Sequence, residues 1–168
     1  MNKKYELLVD DTITFFGWKL FRIKALISFG SVEAGELGGY VAKEGNLSHE
    51  GNAWVYDNAW VYGDARVFDN ARVYGDAEVY GNAWVYGDAE VCGDARVKSL
   101  KDYIVFKNNW SSGRYFTYTK SNKMWKAGCF YGAGQELINE AYEDSENSGK
   151  HYEAYVKFVE MLEELENE

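Results

Sequence analysis

From Ala53 to Val97 the chain repeats every six residues: AWVYDN, AWVYGD, ARVFDN, ARVYGD, AEVYGN, AWVYGD, AEVCGD, ARVK. Alanine returns at 53, 59, 65, 71, 77, 83, 89 and 95. Valine returns at 55, 61, 67, 73, 79, 85, 91 and 97. Eight consecutive matches at one short period mark a stacked-repeat architecture and exclude an ordinary layered domain.

The period dictates the geometry. Within each unit Ala-x-Val alternates, so Ala and Val share one face of a short strand. The following Gly-Asp, Gly-Asn or Asp-Asn pair tolerates positive φ and turns the chain sharply. Three strands and three turns close a triangular coil, so each residue stacks on the one 18 positions later. Small Ala and medium Val fill a narrow prism that a larger inward residue would not fit.

Outward positions then form columns about 4.8 Å apart per coil. These are Tyr56–Tyr74–Cys92, Tyr62–Tyr80–Lys98, Phe68–Tyr86, Trp54–Arg72–Glu90, Trp60–Glu78–Arg96 and Arg66–Trp84. Opposite charges meet at Arg72–Glu90 and Glu78–Arg96, where each pair contributes roughly 0.2–1 kcal/mol. Every face carries aromatic rings, and soluble proteins rarely expose apolar patches that large. At least one face is therefore expected to be covered by the chain's flanks, a second copy or a partner. Tyr and Trp are favoured interface anchors, so the candidate partner-binding residues are Trp54, Tyr56, Trp60, Tyr62, Phe68, Tyr74, Tyr80, Trp84 and Tyr86.

The unit pairs an aliphatic residue with a small residue four positions on, as in Val61 with Ala65 and Val73 with Ala77, and so resembles the hexapeptide-repeat family. That resemblance implies a left-handed coil, against the usual right-handed crossover; the spacing itself carries no hand. The stretch Leu37-Gly38-Gly39-Tyr40-Val41, with Asn46-Leu47-Ser48 and Gly51-Asn52-Ala53, is similar to the opening of a group of bacterial and phage hexapeptide-repeat proteins that often carry a transferase label. The resemblance spans roughly residues 5–98 and the Gly128-Cys129-Phe130 region. It is specific for fold and carries no catalytic residue across.

The flanks complete a mainly β reading: a left-handed parallel β-helix with an N-terminal β-hairpin cap and a C-terminal βββαα module. Residues 1–31 form the cap, 32–98 the β-helix and 99–168 the α+β module. Phe16-Gly17 turns the hairpin. Val41 and Leu47 fall in phase with the alanines, Lys43 and His49 with the valines, which places His49 just below Val67. Strands are expected over 102–107, 114–120 and 123–130, and helices over 136–145 and 151–165, broken by Asn147-Ser148-Gly149.

Chemistry is sparse. The chain has two histidines and two cysteines. Gamma-type carbonic anhydrases, which resemble this fold, place three histidines on one zinc, and two per chain cannot supply them. No metal site or cofactor is expected. His49 is a weak candidate for the general base of an acyltransferase-like enzyme working at a subunit interface; the simpler reading is a polar residue in an irregular end coil. His151 reads as an exposed helix residue, Ser111-Ser112 as a hairpin turn, Cys92 as a free thiol and Cys129 as a small buried strand residue. Gly132-Ala133-Gly134 ahead of a helix reads as a loop and cap.

The net charge of −9 argues against nucleic acid as a partner. Residues 99–133 nevertheless interleave Lys101, Lys107, Arg114, Lys120, Lys123 and Lys126 with aromatics, a pattern that suits single strands. Intramolecular pairing with the acidic helices is the favoured alternative. No segment reads as a signal peptide or a membrane span, so a cytoplasmic location is expected, the host cytoplasm if phage-encoded. The leading reading is a non-enzymatic interaction protein binding a protein partner or itself. Its sharper form is a phage-encoded inhibitor of a host defence, of the anti-CRISPR or anti-restriction type. An acyltransferase-like enzyme and a carbohydrate-binding module are the rivals.

Overall fold

The computed structural model describes residues 3–167. The chain opens with β1 (Tyr5–Phe15), β2 (Trp18–Ala25) and β3 (Leu37–Val41). Eight two-residue strands follow, one per hexad: β4 (Trp54–Val55), β5 (Trp60–Val61), β6 (Arg66–Val67), β7 (Arg72–Val73), β8 (Glu78–Val79), β9 (Trp84–Val85), β10 (Glu90–Val91) and β11 (Arg96–Val97). Parallel pairing joins strands 18 residues apart: β4–β7–β10, β5–β8–β11 and β6–β9. These columns are the faces of a β-solenoid of about three turns. All eight repeat alanines and all eight valines are fully buried, so one face of every hexad lines the prism.

The corners explain the Gly/Asp alternation. Gly63, Gly75, Gly81, Gly87 and Gly93 all adopt left-handed φ between 64° and 69°. Asp57 and Asp69 hold the same conformation, at φ 56° and 60°. That conformation costs an L-residue about 1–2 kcal/mol. Each aspartate gains a compensating bond: its carboxylate accepts the N–H of Gly75 or Gly87, one coil on, at 3.1 Å.

The first coil differs from its expected phase. Val41 pairs with Val61 and Leu47 with Val67, a spacing of 20 rather than 18. Val41 and Leu47 therefore occupy valine positions, not alanine positions. Two additional residues sit in the corner between Leu47 and Ala53. His49 lies in that enlarged corner instead of below Val67. Lys43 falls at a turn, its ammonium 2.9 Å from Asp64. A corner loop absorbs inserted residues without disturbing the strands, which is why the phase slips there.

The hairpin turns at Phe16 (φ 43°) and Gly17 (φ 84°), and β2 pairs antiparallel with β3. Because β3 pairs with β5, the face built on β5, β8 and β11 becomes one six-stranded sheet. Tyr5, Ile23, Ala25 and Val32 join the Ala/Val prism in a single core.

The other flank contains β12 (Tyr103–Lys107), β13 (Tyr115–Thr119), β14 (Met124–Ala127) and β15 (Phe130–Ala133), then α1 (Gly134–Asp144) and α2 (Glu146–Glu166). There are four antiparallel strands, not three. Gly128, at φ 60°, turns the chain where the sequence reads as one strand over 123–130. Cys129 sits in that turn and is exposed rather than buried. Residues 132 and 133 belong to β15 rather than to a loop. The helices separate at Ser145, whose hydroxyl accepts the N–H of Ser148, so Asn147-Ser148-Gly149 opens α2 instead of breaking the pair. Phe116, Tyr118, Trp125, Leu137, Ile138, Val156 and Val159 form a second core between this sheet and the helices.

A parallel stack leaves carbonyls unpaired at one end and N–H groups at the other. At the first coil, Lys4 Nζ donates to the carbonyl of Ala53 at 2.7 Å and Tyr5 OH to that of Leu47 at 2.6 Å. At the last coil the donors find side-chain acceptors. Glu90 N–H meets Thr117 Oγ1 at 3.0 Å, Arg96 N–H meets Ser121 Oγ at 2.8 Å, and Lys98 N–H meets Asp102 Oδ2 at 2.7 Å. These contacts supply partners, at both ends, to backbone groups that no further coil reaches.

Candidate functional site

The outward residues of the hexads have three different fates, decided by what the flanks lay over them. On the β5–β8–β11 face the hairpin returns aromatic rings onto the columns. Phe15 meets Trp60 at 4.8 Å between ring centroids and Trp18 meets Tyr62 at 5.6 Å. Leu20 packs with Tyr40 and Tyr62. Tyr62 is 8% exposed, stacks on Tyr80 at 5.3 Å, and its hydroxyl donates to Glu78 at 3.2 Å. Burial first, and the Glu78 carboxylate second, push the Tyr62 phenol up to about 12.

On the β4–β7–β10 face Trp54 is 0% exposed, enclosed by Tyr5 and Phe29. It is a core residue, and no partner can reach its ring. Tyr56 meets Tyr74 edge-on at 6.2 Å. Burial, then Cys92 and Glu90 beside it, raise the Tyr74 phenol. Burial likewise raises the Cys92 thiol, the direction of a structural rather than an activated cysteine. The two charge pairs that the columns place together are formed, Arg72–Glu90 and Arg96–Glu78, each at 3.6 Å.

The β6–β9 face remains open. Phe68 stacks on Tyr86 at 5.1 Å with 6° between the planes, and meets Trp84 edge-on at 6.0 Å. Trp84 is 46% exposed and Tyr86 42%. Beside them, the enlarged corner shapes a cleft of about 750 Å³ lined by Ser48, His49, Glu50, Arg66, Phe68 and Trp84. Among the nine sequence-selected aromatics, Phe68, Trp84 and Tyr86 are the group that the fold brings together on an uncovered face. The cleft was not legible from the repeat. Its signal is the misfit between Leu47 and Ala53, six residues apart where the repeat allows four between a valine and the next alanine.

His49 is engaged by the N-terminal strand. Its Nδ1 accepts the N–H of Lys4 at 3.1 Å, and its ring stacks on Tyr5 at 4.2 Å. In the neutral ring Nε2 then carries the proton, directed at Glu44 Oε1 3.5 Å away. Both ring nitrogens thus face partners within the chain. His151 stacks on Trp110 at 4.5 Å, with Nδ1 2.7 Å from the Asn147 carbonyl. Among the described residues, no three His, Cys, Asp or Glu side chains are grouped to hold a metal ion. No helix among them is long and apolar enough to cross a membrane.

The basic stretch divides. Lys120 pairs with Glu166, and Lys123 with Glu163 at 2.9 Å, which is the pairing between sheet and acidic helix. Arg114 and Lys126 make no ion pair among the described residues and border a groove on the β4–β7–β10 face.

A family model described as the YdcK β-solenoid repeat matches residues 59–75, 65–79 and 71–87. The three matches begin on Ala59, Ala65 and Ala71, one hexad apart, and support the solenoid architecture. No curated protein matches the chain.

Proposed function

We propose that this protein is a non-enzymatic β-helix interaction protein that binds a macromolecular partner, a protein or a second copy of itself, through its β6–β9 face. The observation that carries this reading is the uncovered aromatic cluster of Phe68, Trp84 and Tyr86, beside faces whose aromatics the flanks partly or wholly enclose. Exposed clustered aromatics are the usual anchors of protein interfaces. The finer parts of the reading are a left-handed coil of the hexapeptide-repeat type, a hairpin that serves as its cap, and a phage-encoded inhibitor acting in the host cytoplasm. The position of His49, engaged by Lys4 and Tyr5, supports a binding protein over an acyltransferase.

The test combines sedimentation of the purified chain with affinity capture from bacterial lysate. Either a defined oligomer or one recurrent partner is expected, lost in the double variant Trp84→Ala/Tyr86→Ala. A monomer at every concentration that captures nothing specific would overturn the proposal. So would calorimetric binding of acetyl-coenzyme A that disappears in His49→Ala.

A further inference from the structure

Helix α2 carries an apolar stripe that the fold leaves uncovered. Tyr152, Tyr155, Val156 and Val159 pack into the second core. Ala154, Phe158, Met161 and Leu165 lie on a different side of the helix and are exposed, Phe158 by 48%, Met161 by 62% and Leu165 by 64%. Phe158 keeps one edge contact with Phe106, ring centroids 6.3 Å apart. Apolar residues scattered singly over a surface are ordinary. These are not scattered: they fall 4, 3 and 4 residues apart. That is the alternation of d and a positions in a heptad, which holds one line of side chains toward a partner helix.

The flanking charges decide which helix the stripe fits. Lys157 and Glu164 occupy successive g positions, each just before an a residue, Phe158 or Leu165. Against a second α2 running antiparallel, Phe158 meets Met161 across the seam and bulky Leu165 meets small Ala154. The same register sets Lys157 beside Glu164 of the partner subunit, and a two-fold axis makes that ion pair twice. A parallel pair offers no such match, because g then faces e of the next heptad and Lys157 would meet Leu162. Within its own chain Lys157 reaches Glu153 at 3.9 Å, with its side chain 68% exposed, so it is available to a closer acid. The stripe is about 16 Å long, which places the interface at the small end of the range and makes association concentration-dependent.

We infer that α2 is a self-association surface: two copies of the chain pair antiparallel through Ala154, Phe158, Met161 and Leu165, with Lys157 of each copy opposite Glu164 of the other. None of these residues lines the cleft on the β6–β9 face, so the inference stands apart from the interaction reading of that face.

Sedimentation velocity of the full chain over a dilution series tests it. A monomer–dimer equilibrium is expected, abolished by Met161→Glu, which sets a carboxylate into an apolar seam. Lys157→Glu opposes two carboxylates at both symmetric positions and should weaken the dimer about tenfold or more. The exchange Lys157→Glu/Glu164→Lys should restore it, a rescue that the antiparallel register alone predicts. All three side chains are exposed, so circular dichroism should show an unchanged fold. The dimer should persist in Trp84→Ala/Tyr86→Ala, and the β6–β9 reading then rests on its captured partner. A monomer that still captures a partner overturns this inference alone. A dimer indifferent to Met161→Glu or Lys157→Glu, unrescued by the charge exchange, or lost in Trp84→Ala/Tyr86→Ala overturns it equally.

Discussion

Lys4 shows how far a single side chain can depart from its residue type. It is 1% exposed, donates to the Ala53 carbonyl and lies 4.7 Å from the Phe29 ring centroid. Burial pushes its ammonium down to about 8 from an ordinary 10.5. Between those values the unfolded chain binds a proton that the folded chain lacks, so this group adds stability as pH rises from about 8 to 10.5. The full window is worth about 3 kcal/mol. Cys92, Tyr5, Tyr74 and Tyr118 act in the opposite sense. Their raised folded values mean that the unfolded chain ionises first, which removes stability at alkaline pH. Comparison with Lys4→Met isolates the lysine. From pH 7.5 to 9.5 the urea midpoint of the wild type should rise relative to that of the variant; parallel profiles would show that the amine is not desolvated. None of this was legible in the sequence, where Lys4 stands in a polar N-terminal stretch. Its burial depends on a carbonyl 49 residues away, left unpaired because the first coil has no predecessor.

At the scale of elements, the hexads were legible because each obeys a local rule: Ala and Val inward, a left-handed corner, one strand. The exceptions arose where a local rule met a distant neighbour. Gly38 and Gly39 in β3 are the clearest case. Neither has positive φ, so conformation does not demand glycine there. Contact does: a Cβ on Gly39 would lie 2.5 Å from the Ala59 carbonyl oxygen and 2.8 Å from Val55 Cγ1. A Cβ on Gly38 would lie 2.5 Å from the Val55 oxygen and 2.8 Å from Trp54 Cζ2. The backbone of β3 therefore approaches the solenoid more closely than any side chain permits. Gly39→Ala forces either β3 or the Ala59 corner to move, an overpacking that costs about 1–3 kcal/mol or more. In a chain of this length, thermal melting should fall by roughly 2–12 °C. An unchanged melting temperature would mean that β3 is not seated on the first full coil. The same tension explains the phase slip at His49: hydrophobic spacing alone reads through an enlarged corner, because a corner of any length returns the chain to the same prism.

For the whole molecule, the aromatic columns divide into those that hold the fold together and those that do not. The sequence places Trp60 and Trp84 in equivalent units and cannot separate them. Separation comes from the flanks, because the hairpin brings Phe15 onto Trp60, whereas among the described residues none covers Trp84 to the same extent. Removing a packed aromatic ring costs about 3–5 kcal/mol when it is fully enclosed. Half-buried Trp60 should lose a substantial part of that, and exposed Trp84 and Tyr86 much less. Melting should therefore drop by at least about 5 °C in Trp60→Ala and by less than about 3 °C in Trp84→Ala/Tyr86→Ala. Differential scanning calorimetry decides it. Equal losses would mean that the β6–β9 aromatics are structural and would remove the basis for placing an interface there. The ordering predicted here would instead identify surface rings that do little for stability, as an interface requires of residues kept for a partner rather than for the fold.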